Sequence, residues 1–244
     1  MKDLIIIRHG QAQHNPRAEH AKANGCSHEE FVNLMRQDDV LDARLTPLGI
    51  TQAQAIQLPP HTVELVASSS LTRALETAEY VYPHDPTTTT TTTVARKVGL
   101  EYFREISGDL LNAQRRTKQE LQQDFIHWNF DTVMDEQDTL WTPSMENVMA
   151  AAERGYLGFQ WLLQQPESKI LLVSHGGILR YTMNDHPLVI LKDERSNDDD
   201  NVDKKAITSR FDNCEMRRYR LEWGDASNGE KEGRRPIVLT QLDF

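Results

Sequence analysis

The chain has 244 residues, of which 38% are hydrophobic, and its formal net charge is −10. A chain of this length can bury one substantial core, and we expect a single domain over residues 1–244. The acidic balance argues against a nucleic acid or a membrane surface as a partner, because either would need a basic face.

The sequence predicts neither a metal site nor a cofactor. Cys26 and Cys214 lie far apart in the chain and have no metal-ligand spacing, which favours a reducing compartment. The N-terminus enters a strand without a signal-peptide pattern, and no apolar run is long enough to span a bilayer. We therefore expect a cytoplasmic protein.

The first predicted strand ends in a group of functional residues. Residues 4–7 are four consecutive aliphatic residues, a pattern typical of a strand that is buried on both faces of a parallel sheet. Arg8, His9 and Gly10 follow directly, at the sheet edge where open α/β folds bind ligands. Arginine suits phosphate or carboxylate oxygens, and a neutral histidine can act as a nucleophile or a base.

The next segment is polar and then becomes helical. Residues 11–45 contain a helical pattern near residues 28–35 and are expected to cover the strand ends. Thr46 and Pro47 then predict the start of a helix that runs to Ala55, because they match the preferred cap and first position.

Two further strand ends supply groups of the same kind. Residues 65–78 predict a short strand, a serine cluster and a helix with Arg73 in its first turns, where anions are favoured. Residues 170–177 run from a second aliphatic strand into His175 and two glycines, before a helix that begins near Ile178. Two histidines at matching strand ends, each followed by glycine, are hard to explain by packing.

The remaining segments complete the predicted fold. Seven threonines at residues 87–93 predict an exposed loop before an extended segment near Val94, and the acidic residues 193–205 predict a solvated loop. Residues 214–223 and 236–242 flank a turn and predict a terminal hairpin. The alternation of strands and helices favours an α/β fold, a three-layer α/β/α sandwich with a mostly parallel central sheet.

Charged residues near position 105 offer an acid for the site. Glu105 lies among apolar neighbours, as suits a general acid; the alternative is a surface salt bridge with Arg104, and Glu101 is a less well matched substitute. Three cations follow: Arg115, Arg116 and Lys118. They can grip a second acidic group of a ligand or form the charged face of a helix toward Phe125, which is the interpretation we favour.

Together these motifs resemble the histidine phosphatase superfamily, in the branch that includes cofactor-dependent phosphoglycerate mutase. The matching pieces occur in the family's order: Arg8-His9-Gly10 with Asn15, Leu45 to Gly49 with Gln52 and Ala53, Ser69 to Ala78, Arg104-Glu105, and Ser174 to Gly177. Asp138 to Trp141 and Phe211 to Glu215 further resemble eukaryotic, plant-type phosphoglycerate mutase-like proteins.

The resemblance implies a role for each matched residue. His9 is the implied nucleophile, which forms a phosphohistidine, and His175 stabilises the transferring phosphoryl group; the residues alone leave that order open. Arg8 and Arg73 hold phosphate oxygens, and Glu105 protonates the leaving oxygen. Two further residues complete the set: Asn15 donates to phosphate or to the surroundings of Arg8, and Gly176 is assigned to substrate binding.

Three functions are compatible with this set. A phosphatase acting on a small phosphomonoester is the interpretation we favour. A mutase-type phosphotransferase is similar to proteins with a longer basic insertion after the acid residue, from which this chain departs beyond Gly108-Asp109-Leu110. A binding or scaffold protein without turnover would not need both the nucleophile and the acid.

Overall fold

The computed structural model describes residues 1–59, 63–84, 95–131, 135–194, 210–225 and 234–243. Within these ranges the chain forms one mixed sheet. Its strands are Lys2–Arg8 (β1), Leu65–Ser69 (β2), Arg96–Leu100 (β3), Trp128–Asn129 (β4), Lys169–Ser174 (β5), Val189–Asp193 (β6), Met216–Trp223 (β7) and Ile237–Leu242 (β8). The strand order across the sheet is β4-β3-β2-β5-β1-β7-β8-β6.

Among the strands of the described ranges, all except β7 run in the same direction. β1 pairs in parallel with β5, and parallel pairing continues through β2 and β3 to β4. β7 is antiparallel to both of its neighbours, β1 and β8, whereas β6 is parallel to β8. The predicted α/β fold with a mostly parallel central sheet is confirmed. The carboxyl ends of β1, β2 and β5 consequently lie at one edge of the sheet.

Several of the helices begin at a residue whose side chain caps them. The helices are Pro16–Ala23 (α1), His28–Gln37 (α2), Pro47–Gln54 (α3), Thr72–Val81 (α4), Lys118–Asp124 (α5), Val148–Gln164 (α6) and Gly176–Asp185 (α7). Thr46 caps α3 by accepting the Gly49 amide at 3.1 Å, so the helix predicted there is confirmed. None of the helices in the described ranges has both the length and the apolar character that a membrane crossing requires.

β1 is buried on both faces, which explains its unbroken aliphatic run. Leu4 and Ile6 pack in one hydrophobic cluster with residues of α6 and α7. Ile5 and Ile7 point to the opposite face and pack with residues of α3 and α4. Because side chains alternate along a strand, a strand covered on both faces needs apolar residues at every position. The two clusters separate the three layers of the sandwich.

The C-terminal strands form the predicted hairpin. β7 and β8 are antiparallel neighbours, with Trp223 opposite Ile237. The threonine tract at residues 87–93 and residues 195–205 of the acidic segment lie outside the described residues. Cys26 and Cys214 are both free thiols.

Candidate active site

Two histidines meet at the sheet edge where β1 and β5 end. Arg8 pairs in register with Ser174, and the His9 amide donates to the Ser174 carbonyl oxygen at 3.0 Å. His9 and His175 therefore leave their strands at the same level. Their ring centroids are 4.9 Å apart, with an interplanar angle of 58°, and both side chains are buried. The repeated strand-end pattern in the sequence thus corresponds to one site.

The His9 ring is held at Nδ1 by a backbone carbonyl, and its Nε2 faces Arg73. Nδ1 lies 2.7 Å from the carbonyl oxygen of Gly10. Because a carbonyl only accepts hydrogen bonds, Nδ1 carries the hydrogen and Nε2 carries the lone pair. Arg73 Nε donates to that Nε2 at 3.4 Å, and the His9 carbonyl oxygen accepts from Asn213 Nδ2 at 3.0 Å. This orientation suits Nε2 to nucleophilic attack.

The surroundings keep His9 uncharged. Burial lowers the pKa of His9 well below its ordinary value, and the charges of Arg73 and Arg8 lower it further. The contact of Nδ1 with the Gly10 carbonyl acts in the opposite direction but is a smaller effect. The direction is the one expected from two neighbouring guanidinium groups, although burial is the larger cause. His9 is therefore neutral near pH 7.

His175 is fixed through a serine. Its Nε2 lies 2.7 Å from Ser69 Oγ, and the Leu71 amide donates to the same oxygen at 3.2 Å. Ser69 Oγ has one hydrogen and two lone pairs, so while it accepts the Leu71 amide it can either donate to His175 Nε2 or accept from it. His175 Nδ1 is buried and has no hydrogen-bond partner in the described part of the chain. Burial, followed by the charge of Arg73, lowers the pKa of His175 well below its ordinary value.

Arg8 and Arg73 bring two positive charges to the histidines. Arg8 Nη1 donates to the Phe211 carbonyl oxygen at 2.9 Å and Nη2 to the Glu19 carboxylate at 2.8 Å. Arg73 Nη1 donates to the Asn112 carbonyl oxygen at 2.6 Å. Burial lowers the pKa of Arg73 to about 10, so this side chain stays charged at neutral pH. Both guanidinium groups are anchored and keep N–H groups for an anion.

Glu105 lies at the start of α7, next to its N-cap residue His175. Its carboxyl oxygens accept hydrogen bonds from three backbone amides: Ile106 at 3.0 Å, Gly177 at 3.1 Å and Ile178 at 2.9 Å. A Cβ atom at position 177 would clash with this carboxyl group, which explains the second glycine after His175. The start of α7 therefore orients Glu105 beside the histidines.

The charged neighbours of Glu105 in the sequence are engaged elsewhere. Arg104 is buried and binds both carboxylate oxygens of Asp138, at 2.8 and 2.6 Å. The alternative interpretation of Glu105 as a surface partner of Arg104 is therefore wrong. Glu101 pairs with Arg104 and Arg115, each at 2.7 Å, so its carboxylate is committed to a structural cluster and cannot substitute for Glu105.

Asn15 and Gly176 adjoin the same pocket. Asn15 is buried, and its Oδ1 accepts the Ala12 amide at 3.0 Å, which closes the loop after Gly10. Gly176 is the first residue of α7, and a Cβ atom there would lie 3.4 Å from Arg8 Nε. The structure brings both residues to the site, and their contact with a ligand stays a prediction.

The arginines that follow Glu105 do not form a patch for a ligand. Arg115 is buried and donates to backbone carbonyl oxygens of residues 135–137. Arg116 pairs with Asp42 at 3.3 Å and with Asp124 at 2.8 Å. For these two residues, both interpretations from the sequence are wrong. They do not lie on a charged helix face, because α5 begins only at Lys118. They are not free to bind an anion, because they bind neighbouring segments.

Four residues at the site had no role assigned from the sequence: His14, Ser69, Arg210 and Asn213. Ser69 and Asn213 contact the two central histidines directly. Arg210 Nη2 lies 3.5 Å from the Glu19 carboxylate that also binds Arg8. Phe211 to Glu215 and Ser69 to Ala78 were matched motifs that did carry Asn213 and Ser69, but no spacing signal marks His14 or Arg210.

Several buried polar atoms at the site have no partner among the described residues. They are Arg8 Nε, His14 Nδ1 and His175 Nδ1. An unsatisfied buried polar group costs about 1–3 kcal/mol, so three in one place indicate a polar ligand, and Arg8 Nε, which can only donate, needs an acceptor. A phosphoryl group has acceptor oxygens, and its charge complements the two arginines. The described residues contain no cluster of three or more potential metal ligands.

Comparison with curated proteins identifies plant relatives. The chain is 29% identical over 243 residues to phosphoglycerate mutase-like protein 1 of Arabidopsis thaliana, which covers 88% of this chain and 79% of the relative. A second phosphoglycerate mutase-like protein of Arabidopsis thaliana is 28% identical, with 88% and 83% covered. The predicted resemblance to plant-type phosphoglycerate mutase-like proteins is confirmed.

Solved structures share the fold. Mycobacterial glucosyl-3-phosphoglycerate phosphatase in complex with inorganic phosphate matches with a TM-score of 0.50 at 20% identity, over 98% of this chain and 95% of the other. A structure titled mycobacterial hydrolase 2 matches with a TM-score of 0.51 at 22% identity, over 98% and 88%. The family model of the histidine phosphatase superfamily (branch 1) matches residues 4–186. Since that match spans most of the chain, the protein belongs to branch 1 of the histidine phosphatase superfamily.

Proposed function

We propose that this protein is a phosphatase that hydrolyses a small phosphomonoester through a phosphohistidine on His9. The observation that carries the proposal is the orientation of His9, whose Nε2 lone pair lies among Arg73, Arg8 and His175. A nucleophile at the centre of unpartnered N–H groups suits transfer of an anionic phosphoryl group. The fold shared with a mycobacterial phosphatase that binds inorganic phosphate supports the same reaction class.

In the first half-reaction, Nε2 of His9 attacks the phosphorus atom in line with the leaving oxygen. A P–N bond forms while the P–O bond breaks, and the electron pair of that bond passes to the leaving oxygen. Glu105, in its protonated form, gives that oxygen a proton and releases an alcohol. Arg8, Arg73 and the Nδ1 hydrogen of His175 neutralise the phosphoryl oxygens during transfer.

In the second half-reaction, water attacks the phosphohistidine. The Glu105 carboxylate takes a proton from that water, the P–N bond breaks, and its electron pair returns to His9 Nε2. Inorganic phosphate leaves, and Glu105 is protonated again. His9 keeps its Nδ1 hydrogen on the Gly10 carbonyl oxygen throughout, so the ring returns to the tautomer from which it started.

A mutase-type phosphotransferase is the second candidate. The names of the Arabidopsis thaliana relatives favour it, whereas the absence from this sequence of the long basic insertion after Glu105 favours hydrolysis. A binding protein without turnover is the third, and the presence of both His9 and Glu105 speaks against it.

One set of assays separates the three candidates. Wild type, His9→Ala and Glu105→Gln are incubated with an alkyl phosphate, and with 3-phosphoglycerate in the presence and absence of 2,3-bisphosphoglycerate. We expect the wild type to release phosphate, His9→Ala to release none above background, and Glu105→Gln to lose at least about tenfold in kcat. His20→Ala and Glu29→Gln, at exposed positions of α1 and α2, are matched controls that we expect to retain activity.

The other outcomes assign the other functions. Isomerised phosphoglycerate without stoichiometric phosphate release would establish the mutase. Tight binding of inorganic phosphate without any turnover would establish the binding protein. Undiminished alkyl phosphatase activity in Glu105→Gln would remove Glu105 from the mechanism; an alkyl substrate is required because a phenolate leaves with less help from an acid.

A further inference from the structure

A third histidine, His14, lies in the pocket and has no role in the mechanism described above. It belongs to the loop between β1 and α1, and its side chain is only 3% exposed. Nδ1 is enclosed and has no hydrogen-bond partner among the residues that the structure describes. A buried polar atom without a partner is costly, so this imidazole needs an explanation.

The groups that act most strongly on His14 are all cationic. Its pKa is lowered well below the ordinary value by burial and then by Arg73, Arg8 and Arg210, which come from three separate segments of the chain. His14 in turn lowers the pKa values of His9 and His175. The ring therefore lies within the same charged group that surrounds the His9 nucleophile, and it is neutral near pH 7.

A structural histidine elsewhere in the chain provides a contrast. His186 is also buried, but its Nε2 lies 3.0 Å from the Glu153 carboxylate and its Nδ1 accepts the Leu188 amide at 3.2 Å. Its ring also stacks on Tyr156 with a centroid distance of 4.4 Å. The fold thus satisfies a histidine that serves packing, whereas it leaves His14 beside three arginines without a partner for Nδ1.

The loop that carries His14 is tied down on both sides of the ring. The Asn15 amide donates to the Ala12 carbonyl oxygen at 2.8 Å, and the Gln13 amide donates to the Arg44 carbonyl oxygen at 3.0 Å. Asn15 Oδ1 accepts the Ala12 amide. These contacts hold the backbone on each side of His14, and the burial of its side chain confines the ring.

We propose that His14 is a third imidazole of the phosphate site, and that its Nδ1–H donates a hydrogen bond to an oxygen of the bound phosphoryl group. An anion at this place would supply the missing partner of Nδ1 and offset the charges of Arg8, Arg73 and Arg210. The contribution to turnover rests on the proposed phosphatase function, but anion binding by His14 does not.

Substitutions test which nitrogen makes the contact. An asparagine can place its Nδ2 where histidine has Nδ1, whereas glutamine reaches the position of Nε2. We expect His14→Ala and His14→Gln to raise the inhibition constant of orthovanadate by about tenfold or more and to lower kcat, because a charge-assisted hydrogen bond is lost. His14→Asn should recover most of the affinity, and His20→Gln, on the exposed face of α1, should match the wild type.

Three kinetic outcomes would overturn the proposal. The first is an inhibition constant within twofold of the wild type for both His14→Ala and His14→Gln. The second is an equal loss in His14→Asn and His14→Gln, and the third is an equal loss in His20→Gln. Thermal unfolding of each variant, with and without vanadate, shows whether the variant is folded.

A measurement on the wild-type protein tests the proposal even if a variant fails to fold. Imidazole NMR of the wild type follows the titration of His14 without ligand and with saturating inorganic phosphate. We expect phosphate to raise the pKa of His14, because the anion offsets the charges of Arg8, Arg73 and Arg210, while the neighbouring rings of His9 and His175 are neutral. An unchanged titration in the presence of bound phosphate would contradict the proposal, whether or not the protein turns over substrate. A raised pKa without turnover would leave this inference standing and reject the phosphatase.

Discussion

At the scale of single residues, the contacts of the His9 and His175 rings decide which ring nitrogen faces the pocket. The Gly10 carbonyl fixes the hydrogen of His9 on Nδ1, and Ser69 holds Nε2 of His175. His9 therefore presents the lone pair of Nε2 to the pocket, whereas His175 presents Nδ1. In the proposed reaction, His9 attacks and His175 stabilises the group that is transferred.

Removing the Ser69 hydroxyl tests this division of roles. Ser69→Ala leaves His175 Nε2 without its partner, and we expect kcat on an alkyl phosphate to fall by about tenfold, which corresponds to one hydrogen bond. Ser68→Ala is the matched control, because Ser68 is equally buried but donates to the Ser69 carbonyl oxygen at 3.0 Å. Steady-state kinetics and unfolding midpoints of both variants provide the measurement; an equal loss of kcat in both would mean that Ser69 acts only through stability.

At this scale the sequence predicted the residues that follow strand ends. His9, His175 and Arg73 could be found because each comes directly after a strand or at a helix start, where the fold dictates a common edge. His14 could not be found, because a histidine in a loop has no distinguishing pattern. Its significance lies in an unpartnered nitrogen among three arginines, and tertiary structure alone brings those together.

At the scale of elements, a buried ionic cluster forms around Arg104, the residue before Glu105. Arg104 is 1% exposed and binds Glu101 and Asp138. Burial alone would raise the pKa of Asp138, but hydrogen bonds and charge from Arg104 lower it, so the carboxylate is ionised. The Arg115, Leu140 and Trp141 amides also donate to Asp138. This cluster joins the segment after β3 to residues 138–141.

Neutralising Asp138 should weaken the fold more than the chemistry. Asp138→Asn leaves Arg104 with only part of its counter-charge in a buried place, and we expect the free energy of unfolding to fall by about 3–5 kcal/mol. Urea unfolding checks this prediction, with Asp225→Asn at an exposed position as the control. A loss below about 1 kcal/mol in Asp138→Asn would show that Glu101 alone satisfies Arg104.

Helices and strands with local sequence signals could be predicted, whereas ion pairs between distant segments could not. The capping pair Thr46-Pro47 and the aliphatic strands gave correct elements, because those signals are local. Asp138 belonged to a motif matched to plant-type relatives, but its role as the partner of Arg104 was hidden, since 34 residues separate the two. Arg115 and Arg116 were misassigned for the same reason: their partners Glu101 and Asp42 come from other segments.

At the scale of the whole molecule, the site places three neutral histidines in the interior. Burial, with the neighbouring arginines, lowers the pKa values of His9, His14 and His175 well below their ordinary value of 6.5. Below pH 6.5 the unfolded chain therefore binds protons that the folded chain does not. The folded state loses stability as the pH falls from 6.5 toward the folded pKa values.

This linkage predicts a steep dependence of stability on pH. Each of the three histidines contributes about 1.4 kcal/mol of lost stability per pH unit in that window. Urea unfolding between about pH 7.5 and 5 measures the slope above the range where most carboxylates titrate. We expect His9→Gln to reduce the slope by one proton and exposed His20→Gln to leave the site's contribution intact. Inorganic phosphate should oppose the acid loss, because its charge favours protonated histidines. A slope near zero in the wild type would contradict the account.

The fold of the whole molecule was largely predictable, whereas its ligand was not. Alternation of strands and helices, together with aliphatic runs at β1 and β5, fixes a parallel core with a ligand edge. The antiparallel pairing of β7 with β8 was predicted as a hairpin, but the sequence did not indicate that β7 is the strand that runs against the rest of the sheet. Residues around the site, such as Arg210, are brought together by tertiary contacts that carry no local signal, so the ligand could not be predicted.

The central claim is that His9 accepts the phosphoryl group. The most direct measurement is rapid acid-free quenching of the wild type during turnover of a 32P-labelled phosphomonoester, followed by peptide mapping. The account predicts label on the peptide that contains His9, stable in alkali and lost in acid as for a phosphoramidate, and no label in His9→Ala. Label on His175 instead, or full turnover by His9→Ala, would contradict it.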